Sequence, residues 1–163
     1  MILVGLGGNR CSAESGPPMQ TLAAALAALA AMDIAVTARS SWYRSEPVPP
    51  SAQPWFVNAV AAADTALDPE ALLARLLALE GRFGRIRGKR NAARVLDLDL
   101  LDYEGRIVQS DALTLPHPRL HERRFVLAPL AQIAPSWRHP RLHKRADELL
   151  AALPQGESVY RLP

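Results

Sequence analysis

RVLDLDLLDY, residues 94–103, decides how the rest of this chain is read. Side chains along a β-strand alternate between its two faces. Leu96, Leu98 and Leu100 therefore point together toward a core, while Asp97, Asp99 and Leu101 share the opposite face. Aspartate is depleted from strands. Two aspartates on one face, about 7 Å apart by the rise per residue, need a reason. One reading is an amphipathic edge strand with its acids in water. The other is a divalent cation, which removes the repulsion between the carboxylates. Mg2+ commonly takes one or two carboxylates and completes its shell with waters and substrate phosphates.

The upstream flank weighs toward the cation. From Arg82 to Arg94 there are six cationic residues (Arg82, Arg85, Arg87, Lys89, Arg90 and Arg94) and no acid. Taken alone, this is a solvated loop or a weak nucleic-acid patch. Placed next to a carboxylate pair, it matches the needs of a bound polyphosphate. A metal bridges phosphate oxygens there, and arginine forks neutralise charge in the transition state. It is not a Walker A loop, since Gly84–Arg90 lacks the spacing and the Ser or Thr after lysine. Gly5-Leu6-Gly7-Gly8 is an equally poor dinucleotide fingerprint, because position 10 is arginine.

The chain as a whole sets bounds. Its 163 residues suit one domain, residues 1–163, with a sizeable core. With 49% apolar and 21% charged residues it reads as an ordinary soluble globular protein. A single cysteine, Cys11, excludes an internal disulfide and points to a reducing compartment, the cytoplasm. Cys11 has no visible base partner and reads as a structural thiol. The longest apolar run, LAAALAALAAM at 22–32, is too short to span a bilayer. The opening MILVGLGG does not have the make-up of a signal peptide.

Strands are expected at 2–7, 34–44 and 55–63, then at LDLDLL, then at the short IVQ of 107–109. The turn at Tyr103–Arg106 suggests that the last two form a hairpin. Helices are expected at 19–32, from the Asp68-Pro69-Glu70 start to about Arg82, and at roughly 121–132 and 143–152. The proline-dense EPVPPSAQP of 46–54 is a loop with restricted backbone. The order β-α-β-β-α-β with additions gives an α+β class: an α/β sandwich with a ferredoxin-like βαββαβ core, an added hairpin and C-terminal helices. HPRLH occurs twice, at 117–121 and 139–143, but its flanks do not repeat.

Several motifs in fixed order carry a resemblance. GRIR and LDLDLL are followed by LTLPHPRLHERRFVLAPLAQIAP and preceded by SSWYRSEPV and QPWFVNAV. The chain thereby resembles the 6-hydroxymethyl-7,8-dihydropterin pyrophosphokinases of folate biosynthesis, from residue 2 to about residue 137. The resemblance implies transfer of pyrophosphate from ATP to the pterin hydroxymethyl oxygen, with release of AMP. It implies two Mg2+ ions on Asp97 and Asp99, with Arg85 and Arg94 as further catalytic groups. Glu80, Arg87, Leu100, Thr114, His117 and Arg123 correspond to residues on the ATP side. Phe56 and Phe125 correspond to the pair that sandwiches the heterocycle. Asn58, Ser45 and Val48 correspond to the readers of its edge. The implied partners are these small molecules, with no nucleic acid or membrane, and the implied state is a monomer.

Other readings stay beside these. Phe125 in an apolar run fits a plain core residue. His117 and His121 sit at i, i+4, a zinc-ligand spacing, although Pro118 between them disfavours a clean helix there. Trp42 and Trp55 read as packing residues. The chain has Arg90-Asn91-Ala92-Ala93-Arg94 where the family commonly has Arg-Trp-Gly-Pro-Arg, and Ala112 where many members carry arginine. Asn91 cannot seal the loop over a nucleotide as tryptophan does, so rate, loop closure and ATP affinity are expected to differ. A divergent paralogue acting on another pterin, or a non-catalytic binding module, stays open. A loop this charged, roughly residues 82–93, is expected to be mobile when empty.

Overall fold

The computed structural model describes residues 1–85 and 92–163. Arg87, Asn91 and the expected mobility of their loop lie outside the described residues. The apolar opening strand β1 (Ile2–Gly8) becomes the centre of a sheet. Its neighbours are β4 (Phe56–Asp64) on one side and β5 (Asp97–Tyr103) on the other, both antiparallel. Helix α1 (Pro18–Leu29) and a short 3-10 turn (Ala30–Met32) lead to β2 (Ala35–Arg39) and β3 (Tyr43–Ser45). Both lie antiparallel on the outer edge of β4.

The single strand expected at 34–44 is thus two strands with a break at Ser40–Trp42. Ser40 causes the break by bonding Val60 twice. Its N–H donates to the Val60 carbonyl at 2.9 Å and its hydroxyl accepts from the Val60 N–H at 3.0 Å. A side chain has replaced a backbone carbonyl in the ladder. Beyond β3 the sheet continues into β8 (Val159–Arg161), a three-residue strand that was not anticipated. The sheet order is β5-β1-β4-β3-β8, with β2 also on β4.

Helix α2 (Pro69–Arg82) starts where its cap predicts. The Asp68 carboxylate accepts from the Ala71 N–H at 2.8 Å, and Pro69 occupies the first turn. Leu72, Leu76 and Leu79 line one face of this helix and are fully buried. A buried leucine contributes roughly 1.5–3 kcal/mol, so this stripe is what docks α2. It packs with Leu22, Ala25 and Leu29 of α1 against one face of the sheet. On the other face, α3 (Arg124–Ile133) and α4 (Ala146–Ala152) bury Val126, Leu127, Leu130 and Leu149.

The reading of β5 holds. Leu96, Leu98 and Leu100 join the α1/α2 core, and Leu101 joins the α3/α4 core. A bulge then places Leu101 and Asp102 together opposite Leu3. Asp102, 2% exposed, takes a hydrogen bond from the Trp137 indole N–H at 3.1 Å. The hairpin needs correction: β6 (Val108–Gln109) pairs with β7 (Thr114–Leu115), not with β5. A two-residue strand carries too little pattern to name its partner. Two helix starts also move. The segment expected to begin helix 121–132 is a 3-10 turn at Leu120–Glu122, and α3 begins at Arg124. Residues 139–145 fold back on themselves before α4, with His143 at φ 58° and the His139 N–H on the Lys144 carbonyl at 2.9 Å. The class is α+β, with helices on both faces of an antiparallel sheet. No helix among the described residues is long and apolar enough to cross a membrane.

Candidate active site

The α3 face of the sheet is bare at its centre, because β1 presents Gly5 and Gly7 there. Gly7 pairs with Asn58 of β4 on one side and Asp97 of β5 on the other. A Cβ on Gly7 would stand 3.1 Å from the Asn58 side-chain oxygen. Glycine thus keeps an open floor between Asn58 and Asp97, about 10 Å apart across two strand spacings. The cavity above this floor has an aromatic end and a charged end.

At the apolar end, Phe56 and Phe125 both line the cavity. Phe56 shares a β4 face with Asn58. Phe125 enters from the first turn of α3, half-buried against the α3/α4 core, with the Arg123 guanidinium 5.6 Å from its ring centre. It is a wall of the cavity as well as a core residue. Asn58, 5% exposed, donates its amide N–H to the Ser45 hydroxyl at 2.7 Å. The Asn58 oxygen therefore remains for a ligand. Val48, 39% exposed, lines the same end from the proline-dense loop.

At the charged end the two aspartates are held by three guanidiniums. Asp97 pairs with Arg94 at 2.5 Å and Arg85 at 2.7 Å, and Asp99 pairs with Arg123 at 3.3 Å. Withdrawal from water, then the adjacent Asp97 charge, raises Asp99 to about 6 despite Arg123. Arg85 also pairs with Glu80. Glu80, on the last turn of α2, is 2% exposed and accepts the Leu98 N–H at 2.7 Å. Burial raises its carboxyl above the usual range, with the Leu98 and Arg85 contacts opposing. Glu80 thus ties the end of α2 to β5 beneath Asp97 and does not line the cavity.

Of the remaining expected residues, His117 lies near this end. His117 donates its backbone N–H to Leu101 at 2.8 Å and accepts the Arg119 N–H on Nδ1 at 3.1 Å. Burial and the nearby Arg123 charge lower it to about 4, so its ring is neutral with the proton on Nε2. Thr114 lies on β7, and the Leu100 side chain points into the α1/α2 core, away from the aspartates. His117 and His121 do not form a pair: the His121 ring packs edge-on against His139 at 5.5 Å. The HPRLH repeat does have a local basis, since His139 Nδ1 likewise accepts the N–H two residues on, at 3.2 Å. Cys11 is exposed, so it is not a packed structural thiol. Trp42 packs beside the α1/α2 core, and Trp55 stacks on Tyr160 with centroids 6.0 Å apart.

One residue escaped the sequence reading. Asn9, 3% exposed, exchanges backbone and side-chain bonds with Arg94: its N–H donates to the Arg94 carbonyl and its Oδ1 accepts the Arg94 N–H, both at 2.9 Å. Its amide N–H2 donates to Gln53 Oε1 and the Pro54 carbonyl, both at 2.9 Å. It joins the proline-dense loop to the arginine segment. Gly8 before it has the Val95 carbonyl 2.5 Å from where a Cβ would stand. The sequence marked Asn9 only within GGN after the opening strand, a turn signal that also belongs to the family resemblance but assigns Asn9 no role.

No group of three or more His, Cys, Asp or Glu converges for a metal among the described residues. The paired oxygens of Asp97 and Asp99 nevertheless suit a hard cation. Two carboxylates fit Mg2+ that shares its shell with substrate phosphates, not a cation caged by protein alone.

The model of the 7,8-dihydro-6-hydroxymethylpterin-pyrophosphokinase (HPPK) family matches residues 3–135. The 2-amino-4-hydroxy-6-hydroxymethyldihydropteridine pyrophosphokinase of Synechocystis is 44% identical over 149 residues, 91% of this chain and 73% of its own. The protein of the same name from Pseudomonas aeruginosa is 40% identical over 163 residues, 99% of this chain and 96% of its own. A crystal structure of an HPPK-DHPS protein in complex with substrates superposes with a TM-score of 0.69 at 12% identity. It covers 93% of this chain and 42% of that one, a likeness of fold alone. The motif order, the site and the matched span agree: the chain belongs to the 7,8-dihydro-6-hydroxymethylpterin-pyrophosphokinase family.

Proposed function

We propose that this protein transfers pyrophosphate from ATP to the hydroxymethyl oxygen of 6-hydroxymethyl-7,8-dihydropterin and releases AMP, a step of folate biosynthesis. The observation that carries the reading is one cavity with an aromatic pair and an amide at one end and an Asp97/Asp99 pair ringed by arginines at the other. Phe56 and Phe125 hold the flat ring, and Asn58, Ser45 and Val48 read its edge. This aims the hydroxymethyl group along the bare glycine floor toward the aspartates.

Asp97 and Asp99 would hold Mg2+, two ions in this reading, which supplies charge neutralisation on the ATP phosphates. Arg85, Arg94 and Arg123 present guanidinium forks that fit phosphate oxygens. Arg87, outside the described residues, is assigned to the ATP side by the family resemblance alone. Neutral His117 offers Nε2–H as an uncharged donor, and we assign Thr114 and Leu100 to the ATP side by the family resemblance. Glu80 acts on the nucleotide side through Arg85 and Leu98. In-line transfer needs positioning and charge neutralisation more than a covalent nucleophile. The strand order, β5-β1-β4 with β2 and β3 at the edge, supports a ferredoxin-like core for one domain spanning 1–163. We place the reaction in the cytoplasm, carried out by a monomer.

The test is to mix protein, ATP, Mg2+ and the pterin and separate the products. AMP and pterin diphosphate should appear in equal amounts. Asp97→Asn should lower turnover by about 100-fold or more. Failure of the unaltered protein to form AMP with these substrates sinks the reading.

A further inference from the structure

The apolar end of the cavity contains a carboxylate that no part of the proposed mechanism uses. Glu157 lies between α4 and β8, beyond residues 3–135 matched by the family model. It lines the cavity with Ser45, Val48, Phe56 and Asn58. One of its carboxylate oxygens is shielded from water and accepts no hydrogen bond among the described residues. An acceptor withdrawn from water without a donor is costly, and native proteins keep few of them.

The local structure holds Glu157 in place. β8 pairs with β3, and Ser45 faces Val159 in that ladder. Glu46 clamps the residue next to Glu157: its carboxylate accepts the Ser158 N–H at 2.7 Å, and its own N–H donates to the Ser158 carbonyl at 3.3 Å. Glu46 is thereby satisfied, and Glu157 is not. One Asn58 amide N–H is donated to Ser45, which leaves the Asn58 oxygen as an acceptor and the second amide N–H as a donor. This end of the cavity therefore offers its occupant the Asn58 oxygen and the Glu157 carboxylate as acceptors, with one Asn58 N–H as a donor. These two acceptors beside Phe56 and Phe125 suit a planar ligand with a donor-rich edge, the character of an amino-substituted pyrimidine with adjacent N–H groups.

We propose that Glu157 is a specificity-determining residue whose carboxylate accepts hydrogen bonds from the 2-amino edge of the bound heterocycle. The proposal rests on the pterin reading above. It assigns to the C-terminal segment a part in choosing an amino-bearing ring over its oxo counterpart. A site that hydrogen-bonds a substrate N–H discriminates strongly against an analogue lacking it, because its buried polar group is left unpaired.

The experiment compares unaltered protein, Glu157→Gln and Glu157→Ala against two ligands. One is 6-hydroxymethyl-7,8-dihydropterin, and the other is its analogue with oxo in place of the 2-amino group. Binding is measured by calorimetry with a non-hydrolysable ATP analogue present, and turnover is measured separately. Unaltered protein should prefer the amino ligand. Glu157→Ala should weaken amino-ligand binding roughly 10- to 100-fold, leave the oxo analogue within about 2-fold, and leave the KM for ATP unchanged. Glu157→Gln, which keeps the size and one acceptor oxygen, should fall between and serves if the alanine variant misfolds. Equal losses for both ligands, or no loss for either, overturn the proposal. If unaltered protein binds the pterin but forms no AMP, the catalytic reading fails and the binding comparison still decides Glu157. If unaltered protein does not bind the pterin, both fail.

Discussion

Asn9→Ala should be far more damaging than a turn residue after a strand would suggest. The Asn9 side chain makes three hydrogen bonds of 2.9 Å, to Gln53, Pro54 and Arg94, from a position 3% exposed. Each is worth about 1 kcal/mol net, and partners left unpaired out of water add to the loss, so about 3–5 kcal/mol is expected. Since about 2–4 °C accompanies each kcal/mol at this chain length, the melting midpoint should drop by roughly 10 °C. Asn9→Asp separates the two arms. Its Oδ1 still accepts the Arg94 N–H, but a carboxylate now faces the Gln53 and Pro54 oxygens. Urea unfolding at 25 °C gives the stability, and steady-state assays give KM for each substrate. The alanine variant should raise KM for both substrates, and the aspartate variant chiefly for the pterin. Asn9→Ala within 1 kcal/mol of the unaltered protein, with both KM values unchanged, would refute the clamp.

Two further outcomes follow from buried titratable groups. Glu80→Ala strips the buried Leu98 N–H and Arg85 of their partner and should cost about 3–5 kcal/mol. Glu80→Gln keeps an acceptor for Leu98 and should cost less, yet both should lower kcat because Arg85 loses its anchor; full activity in Glu80→Ala would show that Arg85 needs none. His139, 3% exposed, is lowered to about 4 by burial and then by the charges of His121, Arg141 and His143. Its folded form resists a proton that the unfolded chain accepts near pH 6.5. Stability from this group is therefore intact above pH 6.5 and falls as the pH drops toward 4, by up to about 3 kcal/mol. Glu80 and Asp99, whose pKa values are raised, add slopes of the opposite sign and are common to both proteins in a comparison with His139→Gln. The stability difference between unaltered protein and His139→Gln should shrink from pH 7 to pH 4, and a constant difference would count against a neutral buried ring.

Much of this protein is written in short-range pattern. The alternation in LDLDLL assigned both faces of β5, and the Asp68-Pro69 start located α2 to the residue, because strand pleating and helix capping act within a few residues. The motifs that carry the family were equally legible, and so was the association of a carboxylate pair with a run of arginines. The sequence did not show which strands would be neighbours. The break at Ser40, the pairing of β6 with β7, and β8 all depend on partners that the pattern does not name.

The contacts that build the site are longer-ranged still. Asn9 meets Gln53 across 44 positions and Arg94 across 85, and Glu46 meets Ser158 across 112. Periodicity could mark Asp97 and Asp99 as site residues, because charged groups on a strand face are unusual in themselves, whereas Phe56 and Asn58 were marked by the family resemblance. Asn9, Glu80 and Glu157 have no such local mark. Their roles come from burial and from which N–H or carbonyl the folded sheet brings within 3 Å, and only closure of the tertiary structure sets those partners.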